Sequence, residues 1–141
     1  MFTATARSHD GAFLQRIDVN GRHEITTDEP ASLGGTDTAP APHELLPAML
    51  ASCVGVTLAT YAKRHDWHLD ELTVEVAYDN ESTPRQVTTT IHLPDGLTPE
   101  QVSRLERVAE ACPVKRALET GFSFDHAIVT SGSEDKARAA A

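Results

Sequence analysis

Three observations predict an α+β fold. Strand-like alternation fills the first 30 residues, one long apolar-periodic stretch follows, and a second helix start stands beyond a later pair of alternating segments. The elements read in the order βββ-α-ββ-α-β, with no repeats and no low-complexity segment.

Phe2, Ala4 and Ala6 alternate with threonine and arginine, predicting a first strand, and Phe13, Ile17 and Val19 share one face of a second. Asn20-Gly21 is a two-residue hairpin signal that leads into a third strand, His23 to Thr27. From Asp28 to Pro42, DEPASLGGTDTAPAP carries prolines and a Gly-Gly pair that neither a helix nor a strand interior accommodates. That loop delivers the chain to a helix over about His43 to Lys63. There Leu45, Leu46, Met49, Leu50, Cys53, Val54, Leu58, Tyr61 and Ala62 recur at three- and four-residue spacing. So few polar positions predict a largely buried helix.

Two more strands follow, with Leu72, Val74, Val76 and Tyr78 alternating in one and Val87, Thr89, Ile91 and Leu93 in the other. Thr98-Pro99-Glu100-Gln101 combines a threonine cap, a proline at the first helical position and a glutamine that closes a capping box. Val102, Leu105, Val108, Ala109 and Cys112 extend that helix's apolar face until Pro113 interrupts it, and Val114 to Thr120 reads as a short helix ended by Gly121. Phe122, Phe124 and Ile128 predict a last strand, and the tail SGSEDKARAAA reads as frayed or as a weak terminal helix.

With 141 residues and no composition break, the chain reads as one domain spanning 1–141, its tail 131–141 aside. A domain of this size buries roughly two-thirds of its unfolded surface and needs neither a disulfide nor a metal to fold. Its 12 basic and 21 acidic residues give a net charge of −9, which argues against phosphate backbones and anionic membrane surfaces as partners. The N-terminus has neither a basic n-region nor an apolar h-region, so no signal peptide is expected. The stretch from Leu45 to Ala62 is interrupted by Pro47, Ser52, Gly55 and two threonines, too mixed for a membrane span. A cytoplasmic location follows, where thiols stay reduced and a cysteine pair is more often catalytic or metal-binding than a staple.

The chain holds two cysteines, Cys53 and Cys112. Cys53, mid-helix among apolar neighbours, also fits a small core hydrophobe. Cys112 precedes Pro113, so its sulfur should sit where a helix begins, among free backbone N–H groups that favour a thiolate; a core cysteine at a helix end fits the position as well. Their separation excludes CxxC chemistry and matches no zinc-finger spacing. His65 and His68, in HDWH, are the only close histidines and read as a polar turn rather than a metal site. P-loop, GxGxxG, HExxH and GxSxG patterns are missing from the sequence.

The context of the two cysteines narrows the choice. The segment DEPASLGGTDTAPAPHELLPAMLASC resembles the OsmC/Ohr family pattern of DEP, a Gly-Gly pair, P-x-ELL and A-C, and Ala111-Cys112-Pro113-Val114 resembles that family's second-cysteine motif. The resemblance implies a two-layer OsmC-like fold that forms an intertwined homodimer around long buried central helices. It also implies a thiol peroxidase: Cys53 attacks an organic hydroperoxide, Cys112 resolves the sulfenic acid as a disulfide, and a lipoamide-like dithiol restores both thiols. No metal or organic cofactor is implied.

The family's peroxidases add a glutamate ten residues before the reactive cysteine and an arginine from a Gly-Arg-Asp-Gly-like turn. Here His43 stands ten before Cys53 and Glu44 nine before. His43 could replace that glutamate as a hydrogen-bonding partner or simply begin the helix, and Glu44 could serve the site or the helix dipole. Ser8-His9-Asp10-Gly11 lies roughly where the arginine turn belongs, leaving Arg7, Arg16 and Arg22 as the nearest candidates. Two other readings follow: a dimeric binding or redox-sensing protein with an apolar interfacial cleft, and a thioesterase-like fold, which leaves both cysteine contexts unexplained.

Overall fold

The computed structural model describes residues 1–8 and 13–130. Three strands form an antiparallel sheet in sequence order: β1 (Ala4–Ser8), β2 (Gln15–Val19) and β3 (His23–Thr27). The Asn-Gly turn joins β2 to β3 as the sequence predicts. Asn20 and Gly21 both take positive φ, 56° and 67°, and the Arg22 N–H donates to the Val19 carbonyl. Asn20 also ties the turn to β1, accepting from the Thr3 N–H at 2.9 Å.

The proline-rich loop after β3 is built around one side chain. Asp28 is buried, and its carboxylate accepts from the Glu29, Thr36 and Thr38 N–H groups and from the Thr36 and Thr38 hydroxyls. Those bonds, the Thr36 hydroxyl first, hold its carboxyl far below the usual carboxylate range, although burial opposes them. Gly35 passes so close to the Glu29 carbonyl that a β-carbon has no room there.

A 3-10 turn, Pro42–Glu44, leads into α1 (Leu45–Arg64). Pro47 falls in its first turn, where no backbone bond is lost. Leu50, Val54, Leu58 and Ala62 form its buried stripe, with Leu58 fully enclosed. The antiparallel pair β4 (Thr73–Asp79) and β5 (Gln86–His92) runs in register from Thr73 opposite His92 to Asp79 opposite Gln86. β4 packs on α1 through Val74 and Val76. α2 (Pro99–Glu110) starts with the predicted capping box: Thr98 Oγ1 accepts from the Gln101 N–H, and Gln101 Oε1 accepts from the Thr98 N–H. Pro113 ends its continuation and opens α3 (Pro113–Thr120). Both helices contact α1, so the core is Leu50, Val54 and Leu58 against Leu105, Ala109 and Cys112.

The structure departs from the sequence reading in three places. No strand forms over 121–130; Phe122, Phe124 and Ile128 alternate as expected, yet no strand of this chain pairs with them among the described residues, and all three are exposed. α1 is buried on one face only, with Met49 49% and Val56 63% exposed on the other, because a single chain supplies packing partners to one side. The stretch Pro42–Arg64 is also long and apolar enough, by length and composition alone, to cross a membrane, since its interruptions leave a mean hydropathy of 1.6. Here it packs as a core helix. The tail 131–141 and the residues His9 to Gly11 lie outside the described residues.

Candidate active site

The fold brings the two cysteines together. Cys53 projects from the middle of α1 beside the buried stripe and is partly exposed, while Cys112 is fully enclosed at the start of α3. Cys53 packs against the buried cluster that contains Cys112, and the two thiols are near enough to influence each other's ionisation, inside one chain. The carbonyl of Cys53 accepts from the Thr57 hydroxyl at 2.7 Å, which fixes that turn of α1.

Cys112 is the N-cap of α3; its side chain makes no capping hydrogen bond, but the nearby Val114 and Lys115 N–H groups favour its thiolate. These are the free donors that Pro113 led us to expect. Their effect is outweighed: burial pushes the Cys112 thiol above its ordinary value, and the neighbouring Cys53 thiol adds to the rise. The expectation that the helix start favours a thiolate is therefore corrected. In the folded chain burial favours the neutral thiol of Cys112.

The start of α3 is itself clamped. Lys115 Nζ donates to Glu110 at the end of α2, at 2.6 Å, and to Glu119 within α3, at 2.7 Å. The two carboxylates, Glu110 first, raise the Lys115 ammonium's pKa. Lys115 also lines a cavity of about 280 Å³ with Leu50, Arg85, Val87 and Leu118, close to Cys53 along α1.

The other candidates stand apart from the sulfurs. Glu44 is exposed, and its Oε2 accepts from the Ala41 N–H at 2.8 Å, so it closes the turn before α1. Nine residues of helix place it about 13 Å from Cys53 along the axis. His43 is exposed beside it. Arg7 and Arg16 face each other across β1 and β2, Arg22 sits in the hairpin turn, and all three are exposed. Among the described residues no arginine hydrogen-bonds Cys53. His65, read as a solvated turn histidine, stacks with Tyr61 and Trp67 at ring distances of 4.3 and 5.4 Å.

Sequence reasoning missed Lys115 and Asp28. A basic residue three after a cap cysteine could have marked the first, and threonines eight and ten after the aspartate could have marked the second.

No curated protein matches the chain. Solved structures do. A Psychrobacter arcticus protein named for an osmotic stress and detoxification response superposes with a TM-score of 0.68 at 25% identity, covering 82% of this chain and 87% of that one. OhrB, an organic hydroperoxide resistance protein of Bacillus subtilis, gives 0.56 at 25% identity over 82% and 88%. An organic hydroperoxide resistance protein OsmC of Legionella pneumophila gives 0.62 at 23% identity over 84% and 88%, a likeness of fold. The family model for OsmC-like proteins matches residues 35–127, from the second glycine of the Gly-Gly pair through both cysteines. With two-thirds of its length in that match and the fold of those structures, this chain belongs to the OsmC-like protein family.

Proposed function

We propose that the protein is a thiol-dependent peroxidase that reduces organic hydroperoxides in oxidative stress defence. The observation that carries this reading is the meeting of Cys53 and Cys112 within one chain, one residue partly exposed and the other enclosed. The hydroperoxide resistance names of OhrB and the Legionella protein support the same substrate class.

In this reading the Cys53 thiolate attacks the distal peroxide oxygen. An S–O bond forms, the O–O bond breaks, and the alcohol leaves with a proton. Cys112 then attacks the Cys53 sulfenic acid and expels water, which forms the disulfide and stops oxidation at a reversible step. A dithiol of the lipoamide kind restores both thiols. The protein works in the cytoplasm, so thiol trapping in unstressed cells should find both cysteines reduced; a standing disulfide would place it elsewhere.

The working form is an intertwined homodimer. One face of α1 is unpartnered, and the β1–β3 sheet packs only lightly on the rest of its own chain. Glu44 would serve Cys53 only across such an interface, given their separation along one helix. His43 and Glu44 are therefore assigned to the partner's site.

Purified protein with a dithiol should consume cumene hydroperoxide, and Cys53→Ser should abolish turnover. Equal consumption by wild type and variant would remove the enzyme reading. One observation favours a binding or redox-sensing protein instead: no described arginine reaches Cys53 to activate it. Peroxide-dependent disulfide formation without turnover would be its signature.

A further inference from the structure

The two sulfurs are not equivalent toward a reductant. Once the disulfide has formed, an incoming thiolate can attack either sulfur, with opposite products. Three factors decide: which sulfur can be reached, which thiol leaves better, and what stabilises the departing thiolate.

We infer that the reductant attacks the Cys53 sulfur and that Cys112 is the leaving group, received by the Val114 and Lys115 N–H groups at the start of α3. This rests on the peroxidase reading only in that the disulfide is its resting oxidised state. Access argues for it directly. Cys112 is 0% exposed and walled by α1, α2 and α3, whereas Cys53 is partly open. Attack must come in line with the S–S bond.

Leaving-group strength argues the other way, because burial raises the Cys112 thiol and a weaker acid leaves more slowly. Access prevails, since a sulfur with no exposed surface offers an external thiol no in-line approach in the folded chain. The two amides then compensate in part. They stand at the open start of α3 beside Cys112, free to receive the departing thiolate, and the Glu110–Lys115–Glu119 clamp holds the turn that carries them.

The first thiolate of the dithiol forms an S–S bond to Cys53 as the Cys53–Cys112 bond breaks, and the Cys112 thiolate takes a proton. The second thiol of the reductant, as thiolate, attacks its own sulfur in the mixed disulfide. This releases the Cys53 thiolate and the cyclic disulfide, so the reductant loses two electrons and the protein gains them.

The test avoids peroxide. Purified full-length protein is oxidised with diamide, mixed with limiting 2-mercaptoethanol, acid-quenched within seconds, alkylated and mapped by mass spectrometry. The mercaptoethanol adduct should sit on Cys53 at least about tenfold more often than on Cys112, with the alkyl group on Cys112. An adduct mainly on Cys112, or equal labelling, overturns the inference, as does failure of diamide to form the disulfide. Val114→Pro, which removes one amide donor at a position where proline suits a helix start, should slow reduction about tenfold and leave the adduct on Cys53. An unchanged rate would overturn the role of the amides. Should cumene hydroperoxide not be consumed while the adduct still maps to Cys53, the peroxidase reading fails and this one stands.

Discussion

At Cys112 two opposing forces act on one sulfur, and burial outweighs the helix-start amides. Because the thiol is raised above its ordinary value, its neutral form is favoured in the folded chain. That stabilisation is fully present below the unfolded thiol value and fades as pH rises through the folded one. The same shift governs resolution. After one equivalent of peroxide, disulfide formation should accelerate roughly tenfold per pH unit and keep rising beyond the point where an ordinary thiol levels off. Stopped-flow tryptophan fluorescence or quenched alkylation would follow it, and a plateau below the ordinary thiol value would contradict the assignment of Cys112. Gly35 gives a second residue-scale expectation. Gly35→Ala forces a β-carbon onto the Glu29 carbonyl and should cost about 1–3 kcal/mol in chemical denaturation; a neutral result would mean that the Asp28 loop is looser than drawn. Residue identity made both cysteines legible in the sequence, since Pro113 alone implies a new helix start behind Cys112. The net direction of the Cys112 shift was not legible, because it depends on enclosure by α1, which no local pattern encodes.

Elements with a local signature were the most readable. The Asn20-Gly21 turn, the third strand and the Thr98 capping box all formed where their residue chemistry placed them. The cap is testable: Thr98→Ala leaves the Gln101 N–H without its acceptor and should lower stability by about 1 kcal/mol. Thr98→Ser should recover most of that loss, and equal melting of all three proteins would show the cap to be silent. The last strand failed for the opposite reason. Phe122, Phe124 and Ile128 carry the alternation of a half-buried strand, but a strand exists only when another strand pairs with it. The face of α1 that carries Met49 and Val56 follows the same logic. Its composition reads as buried, and the single chain covers only its other side.

These unmet demands converge at the scale of the molecule. An exposed face of α1 carries Met49, Val56 and Ala59 between turns, a two-stranded β4–β5 sheet stands with β5 mostly open, and three aromatic or branched residues after α3 alternate in solvent. A lone two-stranded sheet is marginal in water, and monomers seldom expose contiguous apolar surface of this kind. A second copy laid along α1 would bury the helix faces against each other and offer partners to the open strands. A stable interface of this type buries on the order of 1,200–2,000 Å². Light scattering on the eluting protein should therefore give about twice the chain mass of 15.2 kDa. Met49→Asp with Val56→Asp places a charge on each helix face that the interface would have to desolvate, so the double variant should elute as a monomer, melt lower and lose turnover together. A wild type that is monomeric at micromolar concentration, or a double variant that remains dimeric, would show that α1 is not the contact. In either case Glu44 and His43 would have no route to Cys53, and the thiol pair would have to act without them.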